Sequence, residues 1–483
     1  MDCIKISTLS FKYKSWVAKK NPPIFTDLNI NVKKGDKLLI LSKPEGGKTT
    51  FSRILNSLIP KFIDGDLSGN VIVNDKDVSK MEPYELIKDI CYVSQNPLEM
   101  FVSTTCENEV AFPLESLGID QKTIQSTVKK SLIKWGLINY AKASPFELSG
   151  GERKRLLLAV SDAINPSIYI LDESFDDLDK RWRDFLAEEI KKTDKTVITL
   201  SARYLTQFED VFDDIKILES GNFREAKREE AIELFTHRDI RTYLKDSSLL
   251  KSLDERVMSF DGSIQEIKVE NLKAVRRRES IKDERPFKMN CKDFHVKSCE
   301  VVRLIGSNGS GKSTFSRMLC GLDKFDEGSI LLNKKSAVGQ ILQANVGYLF
   351  QNPDYQIFLP TVYEELSWGL VNSGKYSNKV IKEKVESCAK LFSLDVSDTP
   401  TTMSFALRKK LQAAVYYLLD RPFLILDELD GAMSYDDAYF IISELSKKGC
   451  ALIIITHDED FAKEISDKTY YVDHGTMEAL HER

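Results

Sequence analysis

Residues 301–319 read Val301-Val302-Arg303-Leu304-Ile305, then Gly306-Ser307-Asn308-Gly309-Ser310-Gly311-Lys312-Ser313-Thr314, then Phe315-Ser316-Arg317-Met318-Leu319. A short apolar run closed by glycine predicts a buried strand, and the run after Lys312 predicts a helix. The glycines between them let backbone N–H groups turn inward at a helix N-terminus, where they cradle phosphate oxygens. In such a loop Lys312 reaches the β- and γ-phosphates of a nucleotide and Ser313 holds Mg²⁺. Strand, phosphate loop and helix in that order predict an α/β fold built on a mainly parallel sheet.

The same unit occurs earlier in the chain. Leu38-Leu39-Ile40-Leu41 precedes the loop Ser42 to Thr50, which ends Gly47-Lys48-Thr49-Thr50 and leads into Phe51-Ser52-Arg53-Ile54-Leu55. More pairs follow in the same order. Ser94-Gln95-Asn96-Pro97 matches Phe350-Gln351-Asn352-Pro353, Glu109 matches Glu365, and Ile168 to Glu173 matches Phe423 to Glu428. The chain is therefore expected to be two homologous α/β domains, 1–232 and 265–483, with 233–264 a charged helical extension and linker.

Composition agrees with two packed domains. The 483 residues are 42% hydrophobic and 30% charged, a globular balance. Lys+Arg number 69 and Asp+Glu 74, so the net charge of −5 gives no basic excess for nucleic acid. The run Arg276–Arg278 reads as a solvated loop. No apolar run approaches the roughly 20 residues of a membrane span, and Met1-Asp2-Cys3-Ile4-Lys5 lacks a signal pattern. Eight cysteines without a CxxC pair read as free thiols in a reducing cytosol, and five scattered histidines suggest no metal cluster.

Two further motifs carry chemistry. The apolar strand ending Asp427-Glu428 brings two carboxylates beside the phosphate loop, Asp427 to hold Mg²⁺ through water and Glu428 to polarise the attacking water. Leu148-Ser149-Gly150-Gly151-Glu152 opens an amphipathic helix with small residues. Its free N–H groups and positive dipole end suit the γ-phosphate of a nucleotide held by another domain.

The order phosphate loop, Gln, LSGGE, Asp-Glu, His resembles the ABC-type ATPases over nearly the whole chain. The resemblance implies two tandem P-loop NTPase domains, each with a mainly parallel sheet core, an antiparallel β part and a helical subdomain. It also implies ATP and Mg²⁺ as ligands, and intramolecular head-to-tail pairing in which each ATP lies between the P-loop of one domain and the LSGGE of the other. Gln95-Asn96-Pro97…Glu109 to Glu115 and Gln351 to Phe358…Glu365 look like the energy-coupling-factor branch, which drives uptake of vitamins and transition metals.

Carried over position by position, the resemblance separates two composite sites. One joins Gly306, Ser307, Asn308, Gly309, Ser310, Gly311, Lys312, Ser313 and Thr314 to Ser149, Gly150, Gly151, Glu152 and Asp179. There Glu428, His457, Gln351 and Lys312 are implied as catalytic, and Ser313, Gln351 and Asp427 as metal-binding. The other uses Gly47, Lys48, Thr49 and Thr50, with Thr49, Gln95 and Asp172 near the metal and Glu173 beside them. The replacements fall on this second set. Its signature slot, 23 residues before Asp427 as Ser149 is before Asp172, reads Met403-Ser404-Phe405-Ala406-Leu407. Ala202 stands where the other half has His457, Ser434 where it has Asp179, and Ser42 and Glu45 where it has Gly306 and Gly309. A side chain at Phe405 and a carboxylate at Glu45 both oppose close approach of a triphosphate. One hydrolytic and one degenerate site are expected.

The family stacks adenine on an aromatic upstream of the P-loop. Tyr13 fits that slot in the first domain, equally readable as an aromatic packing on the core, whereas the second has Arg276, a planar cation that can stack or lie at the surface. Membrane partners, a scaffold and a substrate-binding subunit, are implied at the cytoplasmic face of the membrane, with Phe101, Ile357 and Phe358 as candidate contacts and no nucleic acid. A soluble tandem ABC protein acting on ribosomes or nucleic acid, and a non-hydrolytic nucleotide sensor, are the alternatives.

Overall fold

In the computed structural model, residues 1–14, 22–43, 46–235, 266–276, 286–307, 309–431, 433–456 and 465–480 are described. The chain divides into two compact units, one of Met1–Arg238 and one chiefly of Glu284–Arg483 with the strand Glu266–Arg276.

The first unit has a six-stranded sheet in the order 222–225, 214–219, 37–41, 196–201, 168–172, 90–93. All neighbours are parallel except the 222–225 edge strand. Every residue of Lys37–Leu41 is buried, because helices or a second sheet cover both faces. Leu39 and Leu41 pack into the core that includes the helices Cys106–Ser116, Gln121–Lys134 and Gly150–Ile164. Leu38 and Ile40 face the opposite core, shared with a four-stranded antiparallel sheet ordered 25–33, 2–13, 65–73, 76–77. Alternation along one strand thus joins the helical part to the antiparallel part.

The second unit repeats the plan but fuses the two sheets into one of ten strands. The link is the parallel pairing of Asn290 and Cys291 with Thr476 and Met477. In the first unit the matching contact is weaker, a Thr26 N–H to Gly221 oxygen bond at 3.5 Å. The mainly parallel core, antiparallel β part and helical part that the resemblance implies are all present in both units.

Candidate functional site

Each phosphate loop ends on a left-handed glycine that caps its helix. Gly47 (φ 100°) precedes Lys48–Leu55 and Gly311 (φ 113°) precedes Lys312–Leu319. A Cβ on Gly311 would come within 2.5 Å of the Phe287 ring, so both the backbone angle and the space demand glycine.

In the second unit Lys312 is buried, and its ammonium folds back onto the carbonyls of Gly306 (2.7 Å) and Ser307 (3.0 Å). Ser310 Oγ is buried without a hydrogen-bond partner, the orphaned donor a phosphate oxygen would satisfy. Gly309 and Ser313 are exposed and Thr314 is half-buried. Asn308 and His457 lie outside the described residues. Asp427 ends its strand and accepts a hydrogen bond from Tyr348 Oη. Burial, with the neighbouring Glu428 carboxylate, pushes Asp427 up to about 6. Glu428 follows in a left-handed conformation (φ 48°), a strain on the order of 1–3 kcal/mol that clusters at functional positions. Its Oε2 accepts from Gln351 Nε2 at 2.7 Å.

The first unit arranges the same residues differently. Lys48 donates to Ser42 O at 2.8 Å and also pairs with Glu173 Oε1 at 3.4 Å, both side chains more than nine-tenths buried. Glu173 shares the left-handed backbone (φ 45°), and its other oxygen accepts from the Ala202 N–H at 3.1 Å. Burial pushes the Glu173 carboxyl up, opposed by Lys48. Thr49 Oγ1 (3.0 Å) and Tyr92 Oη (2.9 Å) both donate to Asp172 Oδ2, while Asp172 Oδ1 is buried and unpartnered. A buried carboxylate oxygen left open beside a hydroxyl is a donor set that fits a divalent cation. Gln95 is half-buried nearby, its carbonyl taken by Lys154 at 2.8 Å.

Ser42 is 1% exposed and donates to Leu218 O at 2.8 Å, tying the loop to the sheet. In the second unit a Cβ on Gly306 would lie 2.1 Å from Val472 O. The first loop has therefore shifted to accept its serine. Glu45 lies outside the described residues.

The LSGGE stretch forms a capping box. Ser149 Oγ accepts from Glu152 N at 3.4 Å, and Glu152 Oε2 accepts from Ser149 N at 2.8 Å and from Ser149 Oγ at 2.9 Å. Glu152 thus serves the helix end, and Gly150 and Gly151 supply the first-turn N–H groups. In the second unit Ser404 Oγ caps through Leu407 N at 3.2 Å, but Phe405 and Ala406 occupy the glycine positions. Asp179 caps the helix Lys180–Lys192 through Trp182 N, and Ser434 caps its counterpart through Asp437 N. The Ser434 replacement keeps the cap and drops the charge.

Tyr13 Oη lies 2.8 Å from Thr50 Oγ1, and the Tyr13 ring meets Phe11 edge-on. Arg276 occupies the equivalent register, five residues after the left-handed Asn271 as Tyr13 is after Thr8. Its guanidinium donates to Lys324 O and Val275 O instead. Of the three apolar contact candidates, Phe101 is buried in the core, Ile357 is half-buried and Phe358 is 68% exposed. Phe101 packs among the helices and offers no surface.

Sequence reasoning missed four features. Tyr92 and Tyr348 stand three residues before Gln95 and Gln351, a repeat visible in the alignment of halves. Glu109 and Glu365, matched without a role, each hold a loop by accepting two backbone N–H groups: Val102 and Ser103, and Phe358 and Leu359. Lys154 and Lys409, each five residues after the signature serine, are fully buried. Arg203 and Asp176 form a buried ion pair at 2.6 Å.

The raised Asp427 carboxyl has a consequence for stability. The group holds its proton to about pH 6 when folded, against 3.8 for the ordinary side chain. Between those values the folded state binds more protons, so this group's contribution falls as pH rises, by about 3 kcal/mol across the window. In nucleotide-free protein with EDTA, urea midpoints at pH 4.5 and 7 should show Asp427→Asn losing that part of the pH slope. An unchanged slope would remove the assignment.

Among the described residues no helix is long and apolar enough to cross a membrane, and no group of three or more His, Cys, Asp or Glu could hold a metal. The family model "ABC transporter" matches residues 25–176 and 289–430, together more than half of the chain. A candidate ABC transporter ATP-binding protein of Methanosarcina mazei is 29% identical over 94% of this chain and 85% of its own length. One of Treponema denticola is 25% identical over 98% of this chain and 96% of its own length. Among solved structures, cbiO1 of Clostridium perfringens, part of the ABC transporter complex cbiONQ, matches with 26% identity over 45% of this chain and 88% of its own, at a TM-score of 0.39. With both phosphate loops, both Asp-Glu strand ends and the family match in two copies, the chain belongs to the ABC transporter family, as an ATPase that works with ATP and Mg²⁺.

Proposed function

We propose that this ATPase is the energising subunit of an energy-coupling-factor-type importer, with one hydrolytic and one degenerate nucleotide site. The two domains, 1–232 and 265–483, would pair head to tail through the 233–264 linker. Keeping both in one chain raises their effective concentration and lets the halves diverge without wrong pairings. The observation that carries the asymmetry is the start of the two signature helices. Gly150 and Gly151 open one, whereas Phe405 and Ala406 fill the same positions in the other, and Ala202 stands where the second half has His457.

In the hydrolytic site Lys312 and the N–H groups of 306–314 bind the phosphates, and Ser149, Gly150 and Gly151 of the other domain close over the γ-phosphate, with Asp179 alongside. Glu428 orients the attacking water and takes up its proton, Gln351 orients Glu428, and His457 completes the set. Ser313, Gln351 and Asp427 hold Mg²⁺, which when bound neutralises charge on the phosphate oxygens. The second site uses Lys48, Thr49, Thr50, Gln95, Asp172 and Tyr13, and turns over little or no ATP.

The branch assignment rests on the segments around Gln95 and Gln351. It implies a multi-span scaffold and a small membrane-embedded substrate-binding protein as partners, at the cytoplasmic face of the membrane. Tagged full-length chain, purified from membranes in mild detergent, is expected to bring both down. Ribosomal proteins in their place, or no membrane protein at all, would overturn the transport reading.

A further inference from the structure

The helix Phe405–Leu419 carries three consecutive cations, and each is fastened to a different segment of the second unit. Arg408 pairs with Asp354 (2.9 Å), three residues past Gln351. Lys410 pairs with Asp437 (2.6 Å), in the first turn of the helix after the 428–434 loop. Between them Lys409 is only 2% exposed, and its ammonium donates to the main-chain oxygen of Glu428. An ammonium taken out of water costs several kcal/mol unless it is well bonded, so this placement is not neutral packing.

Glu428 needs holding. Its left-handed backbone is disfavoured for a residue with a side chain. Its N–H donates to Ile455 O at 2.8 Å, and its carbonyl accepts from Gly431 N at 3.1 Å as well as from Lys409. Its carboxylate is bound by Gln351. A Cβ on Gly431 would lie 3.2 Å from the Glu428 carbonyl oxygen and 3.4 Å from the Lys409 ammonium, so this glycine sits at the junction of the two groups.

The first unit uses the equivalent lysine for something else. Lys154 is wholly buried but donates to Ser94 O (3.0 Å) and Gln95 O (2.8 Å), with Asp177 at 3.7 Å. The position matching Gly431 is Asp176, which is held by Arg203. One lysine at one helix position therefore supports the glutamine loop in one half and the catalytic turn in the other.

We infer that Lys409 is a positioning residue for Glu428. The helix whose leading glycines have become Phe405 and Ala406 keeps a second task, fixing the backbone from which the Glu428 carboxylate reaches the attacking water. This rests on the reading of Glu428 as the hydrolytic carboxylate.

The test uses the full chain with Lys409→Met, Lys409→Gln and Glu428→Gln. Turnover is expressed per molecule competent to bind a fluorescent ATP analogue, which removes losses through misfolding. Lys409→Met is expected to lower kcat at least about tenfold, since small misplacements of a reacting group cost that much or more, with KM for ATP within about twofold. Lys409→Gln keeps a donor and is expected to recover part of the loss. A kcat for Lys409→Met within about twofold of the parent would overturn the inference, as would equal losses in Met and Gln. If Lys409→Met does not fold, Lys409→Gln against Lys409→Leu gives the same comparison. Turnover surviving in Glu428→Gln would instead overturn the reading of Glu428 and this inference with it, whereas its loss with Lys409→Met unaffected sinks the Lys409 role alone.

Discussion

Glu428→Gln is expected to abolish ATP turnover, with kcat falling at least about 100-fold while nucleotide binding persists. The magnitude follows from general-base catalysis, which is worth roughly 10²–10⁴ in rate. An amide has the shape of the carboxylate but cannot accept the proton. Glu428 is bound to the Gln351 amide at 2.7 Å and stands beside Asp427, so the substitution would remove the proposed base without opening a cavity. Binding is expected to survive because the loop and Lys312, proposed to hold the phosphates, are not touched by the substitution. ATPase rates in excess Mg-ATP, with affinity measured separately, check this. A Glu428→Gln protein that keeps a tenth of its rate would show that another group accepts the proton.

Arg203→Ala carries the largest expected effect on stability. Arg203 is 4% exposed, and its guanidinium meets Asp176 at 2.6 Å with both side chains at least nine-tenths buried. Burial pushes the Asp176 carboxyl up, but Arg203 outweighs it and holds the group below its ordinary value. Removing the arginine leaves a buried carboxylate whose second oxygen already lacks a partner. Breaking such a pair from one side costs roughly 3–5 kcal/mol. Deleting both partners leaves neither member of the pair buried alone, so Arg203→Ala with Asp176→Ala is expected to recover most of the loss. Urea unfolding at pH 7 reads both. A single-variant cost below about 1 kcal/mol would mean that water reaches Asp176 and that the pair is not a structural anchor.

Much of this architecture is legible in the sequence because the motifs repeat at matched spacing. The P-loops, the strand-end carboxylates and the LSGGE helix stand where the pattern of apolar runs and glycines puts them. Glu152 shows where a motif misleads. Ser149 and Glu152 are an S-x-x-E capping box by spacing alone, and the glutamate turns back onto its own helix end. Phe101 misleads similarly, since an aromatic in a connecting segment can as easily pack inward, and here it joins the helical core.

What stays hidden depends on contacts across the sheet. Tyr92 reaches Asp172 only because its strand lies parallel to 168–172 with Tyr92 opposite Ile170, a register that composition does not reveal. The fusion of two sheets into ten strands rests on a two-residue pairing at Asn290 and Cys291. The lysine at position 154 or 409 follows an arginine and precedes a second cation and a leucine in both halves. Its partners lie elsewhere in the chain, the carbonyls of Ser94 and Gln95 in one case and that of Glu428 in the other. The Lys48–Glu173 ion pair likewise joins residues from two distant motifs.

Whether hydrolysis belongs to one of the two proposed sites is tested by ATPase rates of Glu173→Gln beside Glu428→Gln under identical conditions. Glu173→Gln is expected to keep at least about half of the parent ATPase rate, since Glu173 is engaged with Lys48 and position 202 holds no histidine, while Glu428→Gln is expected to be inactive. Equal losses in the two variants would contradict it and make both sites hydrolytic.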